Sequence, residues 1–391
     1  GRQDDSQNHR TYKTGSAQDD YYTGSYPPNF ELSPGDLLVV MTDLTQAAPI
    51  LGSPAFVPDE PVMLHNQRLG LVQIKEGVEL DRRFLYYAML SDTSRSQIRA
   101  TATGATVRHT APERIYRVRL GVPPLALQQV LGDVLGSLDD LIENNRRRVA
   151  VLEEMARAIY REWFVKFRYP GHEDVPLVDS TLGPIPEGWE VRPLAAIAKV
   201  NQSSRKPRPD EVFRYLDIAA LAEREVGELD TVEGVDAPGR ARRVLKPGDT
   251  VWATVRPNRR AHALVVAPGE DWIASTGLAV LSPTIVSSAF LFEATSTTTF
   301  SDWLIGRATG SAYPAVRAVD FEEATVAVPN ASIDAAFAEK VAPMHELSWK
   351  LRAECSALAG LRDLLLPKLV TGQIDVSSLD LDALVEERVA S

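Results

Sequence analysis

Two long stretches of the chain carry apolar residues at alternating steps of three and four, the spacing that places side chains on one face of a helix. The first stretch begins at Leu127 and includes LDDLIENNRRRVAVLEEMARAIYREWFVKF (138–167), which contains neither glycine nor proline. The second extends from Ile333 to Leu369. Two such helices in one chain pack most simply as an antiparallel coiled coil. The alternative is two ordinary bundle helices in a compact fold.

The predicted contact stripes contain one polar position. The first stripe consists of Leu131, Val134, Leu138, Leu141, Asn145, Val149, Leu152, Ala156, Ile159 and Trp163. The second consists of Phe337, Val341, Met344, Leu347, Leu351, Leu358, Leu361 and Leu365. The two consecutive steps of four around Asn145 indicate a stutter, in which this residue is either buried, where it fixes the register, or exposed on a slightly rotated face.

The segments that precede the two helices resemble each other in the same order. LSPGDLLVV (32–40) recurs as LKPGDTVWA (245–253), with Pro34 and Pro247 213 positions apart. The pairs Gly70 and Gly277, Gly104 and Gly310, and Pro123 and Pro329 are separated by 207, 206 and 206 positions. Matched positions in one order indicate an internal repeat, in which a mixed α/β domain is followed each time by a long helix.

This repeat predicts an α/β (α+β) fold class with two domains in pseudo-two-fold repeat, separated by two long antiparallel coiled-coil helices. The opener GPIPEGWEVRPLAAIAKV (183–200) of the second domain has no counterpart in the first. We therefore expect the first domain to lack its opening segment, with residues 1–30 as a partly disordered remnant. The predicted segments are domain 1 (1–124), the central helix (125–169), domain 2 (170–332), the C-terminal helix (333–374) and an acidic tail (375–391).

Composition restricts the location and the chemistry. A single cysteine, Cys355, excludes a disulfide framework, and no run of eighteen apolar residues is present, so we expect a cytoplasmic protein. The formal net charge of −11 argues mildly against a nucleic-acid partner. However, RARRVLKPGDTVWATVRPNRR (240–260) carries seven basic residues and one acidic residue, which indicates either a directed contact with an anion or a solvated loop.

No catalytic constellation is recognisable in the sequence. It contains no phosphate-binding glycine loop, no dinucleotide fingerprint and no zinc-ligand spacing. The segment YPPNF (26–30) lacks the Asn or Asp that would lead the similar methyltransferase element, and we interpret it as a turn. The chain is therefore predicted to be non-catalytic, with no cofactor or metal of its own.

Several motifs together resemble the specificity subunits of type I restriction–modification systems. They are the central segment 138–167, the opener GPIPEGWEVRPL, the Val-Pro-Pro before the central helix and LLPKLVTGQIDV (365–376). The resemblance covers nearly the whole chain except about the first thirty residues. It implies a DNA-binding subunit whose two target recognition domains each recognise one half of a bipartite, asymmetric site in double-stranded DNA. The two conserved helices would set the spacing between the halves.

The resemblance also implies partners and their cofactors. Such a subunit assembles with two modification (methyltransferase) subunits, which use S-adenosylmethionine to methylate adenine N6. In the full restriction complex, ATP-driven translocase–nuclease subunits join them, and Mg is implied there too. Two alternatives stay open: the recognition part of a single-chain restriction-modification enzyme, and a coiled-coil adaptor that does not bind DNA.

Arginine, asparagine and glutamine are the side chains best suited to base edges, and basic loops suit phosphates. The candidate DNA-binding residues of the first domain are His65, Asn66, Gln67, Arg68, Thr106, Arg108 and His109. Those of the second domain are Arg205, Lys206, Arg208, Arg256, Asn258, Arg259, Arg260, Ser275, Thr276, Tyr313 and Arg317. For any one of them a solvated loop side chain is the alternative.

Candidate partner-binding residues lie on the central helix. They are Arg146, Arg147, Tyr160, Trp163, Phe164 and Phe167. The aromatic members close the helix and either contact a partner or pack against the adjoining domain. The arginines pair with acidic residues of the other helix or face DNA.

Overall fold

The computed structural model describes residues 24–370. This part of the chain folds into two compact units. Unit 1 consists of residues 24–143 and 356–370, and unit 2 consists of Asn144–Cys355. Each long helix is therefore shared by the two units. No helix of the described part is long and apolar enough to cross a membrane. The predicted acidic tail 375–391 and most of the predicted N-terminal remnant lie outside the described residues.

Unit 1 contains a small antiparallel sheet and three short helices. Its elements are β1 (Leu37–Val40), β2 (Thr42–Asp43), β3 (Pro54–Phe56), β4 (Leu69–Val72), α1 (Arg82–Leu90), α2 (Asp92–Ala100), β5 (Arg108–His109) and α3 (Pro112–Ile115). The central strand β1 pairs with β3 on one side and β4 on the other, while β2 pairs with β5. Leu37 and Val39 of β1 pack against Leu85 and Met89 of α1, which closes this core.

The first long helix, α4, spans Leu125–Tyr160 and continues as a π-helical turn over Arg161–Val165. Its 36 α-helical residues correspond to a length of about 54 Å. The prediction placed the helix at 125–169. The backbone leaves the helical conformation before that, since Phe167 adopts a left-handed φ of 58°.

Unit 2 contains two four-stranded sheets. Its elements before the last helix are β6 (Leu177–Val178), β7 (Ile185–Pro186), β8 (Glu190–Pro193), α5 (Leu194–Ile197), β9 (Ala198–Val200), β10 (Val212–Leu216), β11 (Leu221–Ala222), β12 (Glu225–Val226), β13 (Asp230–Glu233), β14 (Ala241–Val244), β15 (Asp249–Ala253), β16 (His262–Val265), β17 (Trp272–Ser275), β18 (Leu278–Pro283), α6 (Ser288–Thr295), α7 (Thr298–Arg307), α8 (Ala318–Glu322) and β19 (Thr325–Val328). The sheets have the orders β16-β15-β18-β9 and β13-β10-β17-β14. The second long helix, α9, spans Ala331–Val370, 40 residues or about 60 Å.

The same elements recur in the two units at a constant separation. The helices α1, α2, α3 and α4 each begin 206 positions before α6, α7, α8 and α9. The triplet β3-β1-β4 corresponds to β16-β15-β18, with the strand that follows the Pro-Gly-Asp turn in the centre of each. The internal repeat predicted from the sequence is thus present in the folded chain as repeated local structure.

Helix capping explains why α1 and α6 begin where they do. The Asp81 carboxylate accepts a hydrogen bond from the Phe84 amide, and the Ser287 hydroxyl accepts one from the Phe290 amide. Such caps satisfy amides that have no partner within the helix. Both phenylalanines are fully buried. In unit 1, Phe84 clusters with Leu131 of α4 and with the last turns of α9, where Leu366 and Leu369 lie.

Unit 2 repeats this packing with larger side chains. Phe290 clusters with Phe337 and Val341 of α9 and with Trp163, near the end of the first long helix. Phe337 lies 206 positions after Leu131, and Trp163 lies 206 positions before Leu369. In each unit, the start of one long helix and the end of the other pack against the same short helix.

The two long helices run antiparallel inside unit 2. Arg352 of α9 bonds to Glu153 of α4, whereas Phe337, earlier in α9, contacts Tyr160, later in α4. Asn145 is 3% exposed and accepts a weak hydrogen bond from Arg148, which confirms the buried alternative for this residue.

The buried positions of the stripes differ from the prediction. In the first half of α4, Leu135 and Ile142 are buried, whereas Val134, Leu138 and Leu141 are only half-buried. This helix packs against α1 as well, so its buried face is broader than a two-helix seam. In α9, Leu347 and Leu361 were predicted to lie in the contact stripe but are exposed. The polar residues His345 and Ser348, one position after the predicted Met344 and Leu347, are buried instead.

Candidate functional site

In unit 1, two groups of predicted site residues meet at Met41, directly after β1. The Met41 amide donates to the Arg68 carbonyl oxygen at 2.8 Å, and its carbonyl oxygen accepts from the Thr110 amide at 2.9 Å. The turn at 65–69 and the hairpin at 103–109 are therefore joined to the same point of the chain. We call this arrangement, with the loop that follows β2, the three-loop platform of unit 1.

Unit 2 has a platform with the same backbone bonds. The Thr254 amide donates to the Gly277 carbonyl oxygen and the Thr254 carbonyl oxygen accepts from the Val316 amide, both at 2.9 Å. Thr254 lies 213 positions after Met41, and Val316 lies 206 positions after Thr110. The Thr254 hydroxyl adds a second bond to the Gly277 carbonyl at 2.9 Å. The platform of unit 2 thus comprises the turn at 275–277, the hairpin at 309–315 and the loop at 256–260.

The two hairpins are closed in the same way. Thr103 and His109 exchange two backbone hydrogen bonds of 2.9 Å, as do Thr309 and Ala315. The glycine after each threonine has a left-handed backbone, with φ of 100° at Gly104 and 103° at Gly310. Glycine adopts this conformation at little steric cost, whereas an L side chain is strained there.

Replacing Gly104 by alanine should therefore disturb the hairpin of unit 1 more than Gly310→Ala disturbs that of unit 2. A Cβ at Gly104 would lie 1.9 Å from the Val107 carbonyl oxygen, whereas one at Gly310 would lie 3.3 Å from that of Tyr313. Both changes carry the cost of the φ angle, about 1–3 kcal/mol, and only the first adds a backbone collision. Amide hydrogen exchange of the two hairpins measures the difference. Equal protection in the two variants would contradict it.

The candidates of the turn at 65–69 divide into two kinds. The His65 Nε2 lies 2.9 Å from the Leu69 carbonyl oxygen, and the Asn66 Oδ1 accepts from the Arg68 amide at 2.8 Å. These two side chains shape the turn. Gln67 and Arg68 are exposed at its tip. The tip therefore carries the side chains that are available to a ligand.

In the hairpin at 103–109, Thr106 and His109 are exposed and Arg108 is half-buried. The Arg108 guanidinium lies 3.4 Å from the Gly104 carbonyl oxygen, a long contact that holds it loosely. The His109 Nε2 lies 3.2 Å from the Thr103 hydroxyl. The structure thus brings all the unit 1 candidates onto one platform.

The turn at 275–277 carries two candidates, Ser275 and Thr276, and the structure corrects the assignment of Ser275 as a DNA contact. Ser275 is only 3% exposed, and its hydroxyl oxygen accepts from the Gly277 amide at 3.1 Å. Its side chain shapes the turn and is not available to a base edge. Thr276 is exposed, and its amide donates to the Arg240 carbonyl oxygen at 2.8 Å. Thr276 thus stays a candidate at this turn.

The loop at 256–260 follows β15, as predicted, and turns through a short 3₁₀ segment, Pro257–Arg259. Arg260 anchors its far end by bonds to Glu223, to the Thr298 hydroxyl and to the Ser296 carbonyl oxygen. This arginine is committed to the fold, which corrects its assignment as a DNA contact. Asn258 and Arg259 are exposed, and the Arg256 guanidinium lies 4.6 Å from the centre of the Tyr313 ring.

A buried aromatic pair, Trp252 and His262, packs beneath the loop at 256–260 and is bonded to its last residue. His262 stacks on Trp252 with ring centres 4.3 Å apart, and both side chains are fully buried. The His262 Nδ1 donates to the Arg260 carbonyl oxygen at 2.6 Å. Burial lowers the pKa of His262 to about 3, so the ring is neutral at physiological pH.

The predicted phosphate loop is less basic than its sequence indicates. The Arg205 guanidinium pairs with Glu211 at 2.6 Å, and Arg208 lies 3.7 Å from the same carboxylate. The hydrogen bond from Arg205 holds the pKa of Glu211 below its usual value and outweighs burial, which by itself would raise that pKa. Glu270 and Asp271 line the same cavity of about 460 Å³, so with Glu211 three acids balance the three basic residues there, which weakens the assignment of Arg205 and Arg208 as phosphate contacts. Lys206 is exposed on its rim.

Arg317 lies immediately after the hairpin of unit 2 and is mostly exposed. Its backbone amide donates to the Asp320 carboxylate at 2.7 Å, and its guanidinium lies 3.7 Å from the same group. The side chain reaches solvent, but the neighbouring acid weakens it as a contact for an anion.

The aromatic candidates for partner binding lie in the core of unit 2. Trp163 and Phe164 are buried, and Phe164 contacts Phe337 at 4.8 Å between ring centres. Tyr160 and Phe167 are half-buried and pack against the same cluster. This corrects their assignment to a partner surface, since the domain already covers them. Arg146 and Arg147 are exposed.

One polar cluster of unit 2 was not predicted from the sequence. Glu293 of α6 is 2% exposed, accepts two hydrogen bonds from Arg224 and a third from His345 Nε2 at 2.8 Å. Arg352 bonds to Glu153 at 2.8 Å and to Glu225 at 2.9 Å, and Arg224 lies 3.8 Å from Glu153. The available signal was a single acid inside the apolar helix SAFLFEAT. Within residues 24–370, no group of three or more metal-ligating side chains is arranged around a common point.

No protein-family model matches the chain. Curated relatives are type I restriction enzyme specificity subunits. The MjaIX specificity subunit of Methanocaldococcus jannaschii is 24% identical over 320 residues, 80% of this chain and 73% of the relative. The MjaVIII specificity subunit of the same organism is 22% identical over 313 residues, 77% and 72% of the two chains.

A solved structure shares the fold. The crystal structure of a type I restriction–modification S subunit from M. genitalium aligns with a TM-score of 0.54 at 15% identity, over 87% of this chain and 84% of that one. The resemblance predicted from the sequence is confirmed: the curated relatives and the structural neighbour are specificity subunits of type I systems, with mixed α/β content and a long helix.

Proposed function

We propose that this chain is the sequence-specificity subunit of a type I restriction–modification system, and that its two units recognise the two halves of a bipartite, asymmetric DNA site. In this proposal the chain itself is non-catalytic. It supplies sequence recognition and a scaffold to the modification subunits, which bind S-adenosylmethionine, and to the restriction subunits, which use ATP and Mg.

The observation that carries the proposal is the repeated three-loop platform. The backbone bonds of Met41 and Thr254 are the same, while the side chains at the loop tips differ, with the exposed Gln67 and Arg68 in unit 1 and the half-buried Arg256 and exposed Arg259 in unit 2. The two platforms thus share a backbone arrangement but carry different side chains at their loop tips. Such a pair is suited to binding two DNA segments that have the same shape but different base sequences. Successive half-sites on duplex DNA are such segments, about 34–36 Å apart for one helical turn.

The long helices support the role of spacer. Their antiparallel contacts in unit 2 involve bonded ions and packed rings. A flexible linker has a broad distribution of lengths, whereas a paired helix has a defined rise per residue. We propose that α4 and α9 set the spacing between the half-sites.

The exposed faces of these helices are the proposed binding surface for the modification subunits. Val151 and Met155 of α4 and Leu347 of α9 are large apolar side chains left exposed. Together with Arg146 and Arg147 they replace the buried aromatic cluster as candidates. Enrichment of methionine and arginine is typical of protein interfaces.

The proposal is tested with the methyltransferase complex, reconstituted from this chain and the modification subunits of its own system. We expect methylation of adenine at a bipartite site, and we expect Arg256→Ala or Arg259→Ala to weaken binding at one half-site while the complex still assembles. Arg192→Ala is the matched control, because Arg192 is paired with Glu190 on strand β8. Assembly is followed by size-exclusion chromatography and DNA affinity by fluorescence anisotropy at fixed salt.

The outcomes separate the alternatives. A complex that assembles without any affinity for DNA would favour a protein-binding adaptor. Failure to assemble with separate modification subunits, together with activity after fusion to a methyltransferase domain, would favour the single-chain enzyme. Unchanged DNA affinity in both loop variants would exclude the loop at 256–260 from the DNA contact.

A further inference from the structure

The three arginines of the loop at 256–260 have different surroundings. Arg260 is bonded to Glu223, Thr298 and Ser296 and holds the loop to the domain. Arg259 is exposed, and no ring or acid is found against it in the described part of the chain. Arg256 is stacked on Tyr313, a ring that is itself 68% exposed. A cationic group on an accessible aromatic face is held in position yet stays open to a ligand.

The backbone fixes the base of the Arg256 side chain. Its amide donates to the Pro314 carbonyl oxygen at 2.7 Å, which ties the loop to the hairpin that carries Tyr313. Val255 and Ala315, the neighbours of these two residues, form an isolated β-bridge. The loop that carries Arg256 and the hairpin that carries Tyr313 are therefore joined through their backbones.

The loop is also held in an unfavourable conformation. Arg256 and Arg260 both adopt left-handed φ angles, 55° and 53°, on either side of the buried Pro257. A non-glycine residue in this region is strained, and such strain concentrates at functional sites. Of these two left-handed residues, Arg256 is the one whose guanidinium lies over the Tyr313 ring.

The chemistry of the guanidinium defines what it selects. Arginine has five donors and no acceptor, in a planar fork. In the major groove only guanine offers two adjacent acceptors, N7 and O6, and the bidentate pair with arginine discriminates against the other bases. A phosphate also accepts from arginine, but it gives no sequence information.

We propose that Arg256, stacked on Tyr313 of the neighbouring hairpin, selects a guanine in the half-site that unit 2 recognises. This inference rests on the proposed function. Arg259, exposed and unstacked, then contacts the phosphate backbone. Unit 1 has no such pair, because the residues at the corresponding places are Asp43, which is buried, and Val107, which is exposed but carries no aromatic ring. The guanine contact is thus specific to one half of the site.

The test measures sequence preference in the reconstituted methyltransferase. A library of randomised DNA is methylated, and the selected sequences are read by a method that detects N6-methyladenine. The wild-type complex should require a guanine at one position of one half-site. Arg256→Gln should relax that position by at least tenfold, with a shift towards adenine, and leave every other position unchanged. Arg259→Gln should lower methylation of all sequences to a similar extent and reduce its salt dependence.

Variants of Tyr313 form the second part of this experiment. Tyr313→Phe keeps the ring and should keep the guanine preference, whereas Tyr313→Ala should weaken it in the same position as Arg256→Gln. Arg192→Gln is the control for loss of one charge. A uniform loss across all positions in Arg256→Gln, or an unchanged preference, would overturn the inference. Absence of any site-specific methylation by the wild-type complex would instead contradict the proposed function.

Discussion

Replacing Glu293 by alanine should lower the free energy of unfolding of unit 2 by about 3–5 kcal/mol, because it removes the carboxylate that bonds directly to the buried Arg224 and leaves only the more distant Glu153, 3.8 Å away, beside this cation. The carboxylate accepts bonds from Arg224 and His345, and all three side chains are buried. The Arg224 side chain also lies over the Phe292 ring, 4.4 Å from its centre, and is only 3% exposed. Glu293 thus neutralises a charge that the fold has enclosed.

The measurement uses the tryptophans. All six lie between positions 163 and 349, inside unit 2, so tryptophan fluorescence during urea unfolding reports on this unit. Glu323→Ala is the matched control, since Glu323 bonds Arg307 at 2.6 Å on the surface, where such a pair contributes up to about 1 kcal/mol. If Glu293→Ala and Glu323→Ala lower the free energy of unfolding by the same amount, the buried cluster does not stabilise unit 2.

The pH dependence of the wild-type chain should differ from that of Glu293→Ala. Burial by itself would raise the pKa of Glu293, but the His345 hydrogen bond and the Arg224 charge outweigh it and lower that pKa below its usual 4.5. A lowered folded-state pKa contributes stability above the unfolded value, and this is lost as the pH falls through the folded value. Below pH 4.5 the wild-type curve should therefore fall more steeply than that of the variant.

The repeat could be predicted from the sequence because its signals are local. The Pro-Gly-Asp turns before β1 and β15 and the Thr-Gly pairs at 103 and 309 each specify a backbone conformation that few other residues adopt. The predicted separations of 213 and 206 positions are the separations of Met41 from Thr254 and of Thr110 from Val316 in the platforms. The third pair departs from its prediction by two residues, since the turn acceptors Arg68 and Gly277 are 209 positions apart, whereas Gly70 and Gly277 predicted 207.

The roles of individual side chains were not predictable, because they depend on contacts between distant segments. Ser275 and Thr276 are neighbours in sequence, but Ser275 ends the buried strand β17, whereas Thr276 lies in the exposed turn that follows it. Arg256 and Arg260 look alike in the sequence, but Glu223, 37 positions from Arg260, gives the latter a structural role. Likewise, the closing aromatics of the central helix face α6 and α9, which follow more than a hundred residues later.

The second sheet of unit 2 could not be predicted from the sequence either, because its pairing also depends on distant segments. The order β13-β10-β17-β14 includes a parallel pair, β10 with β17, which joins residues about sixty positions apart. Parallel pairing of distant strands leaves no turn signal between them. In contrast, Leu221–Ala222 and Glu225–Val226 form a local hairpin.

Truncation of Phe337 to alanine is expected to cost unit 2 about 3–5 kcal/mol, the usual range for removing a buried phenylalanine. This side chain is fully buried at the start of α9, and its ring contacts those of Tyr160, Trp163 and Phe164 at 6.0, 5.9 and 4.8 Å between centres. It therefore joins the beginning of one long helix to the end of the other through rings that the domain encloses. The proposed spacer depends on this joint, because a frayed helix end does not define a distance.

The control on the same helix is Leu347→Ala, which truncates an exposed side chain and should change the free energy of unfolding by less than about 0.5 kcal/mol. Urea unfolding followed by tryptophan fluorescence measures both variants. In the reconstituted methyltransferase, Phe337→Ala should also accept half-sites with altered spacing, since the joint that orients unit 2 on its helices is loosened. A variant as stable as Leu347→Ala, with unchanged spacing preference, would show that α9 does not need this packing to hold its position. The role of the helices as a spacer would then lose its physical basis.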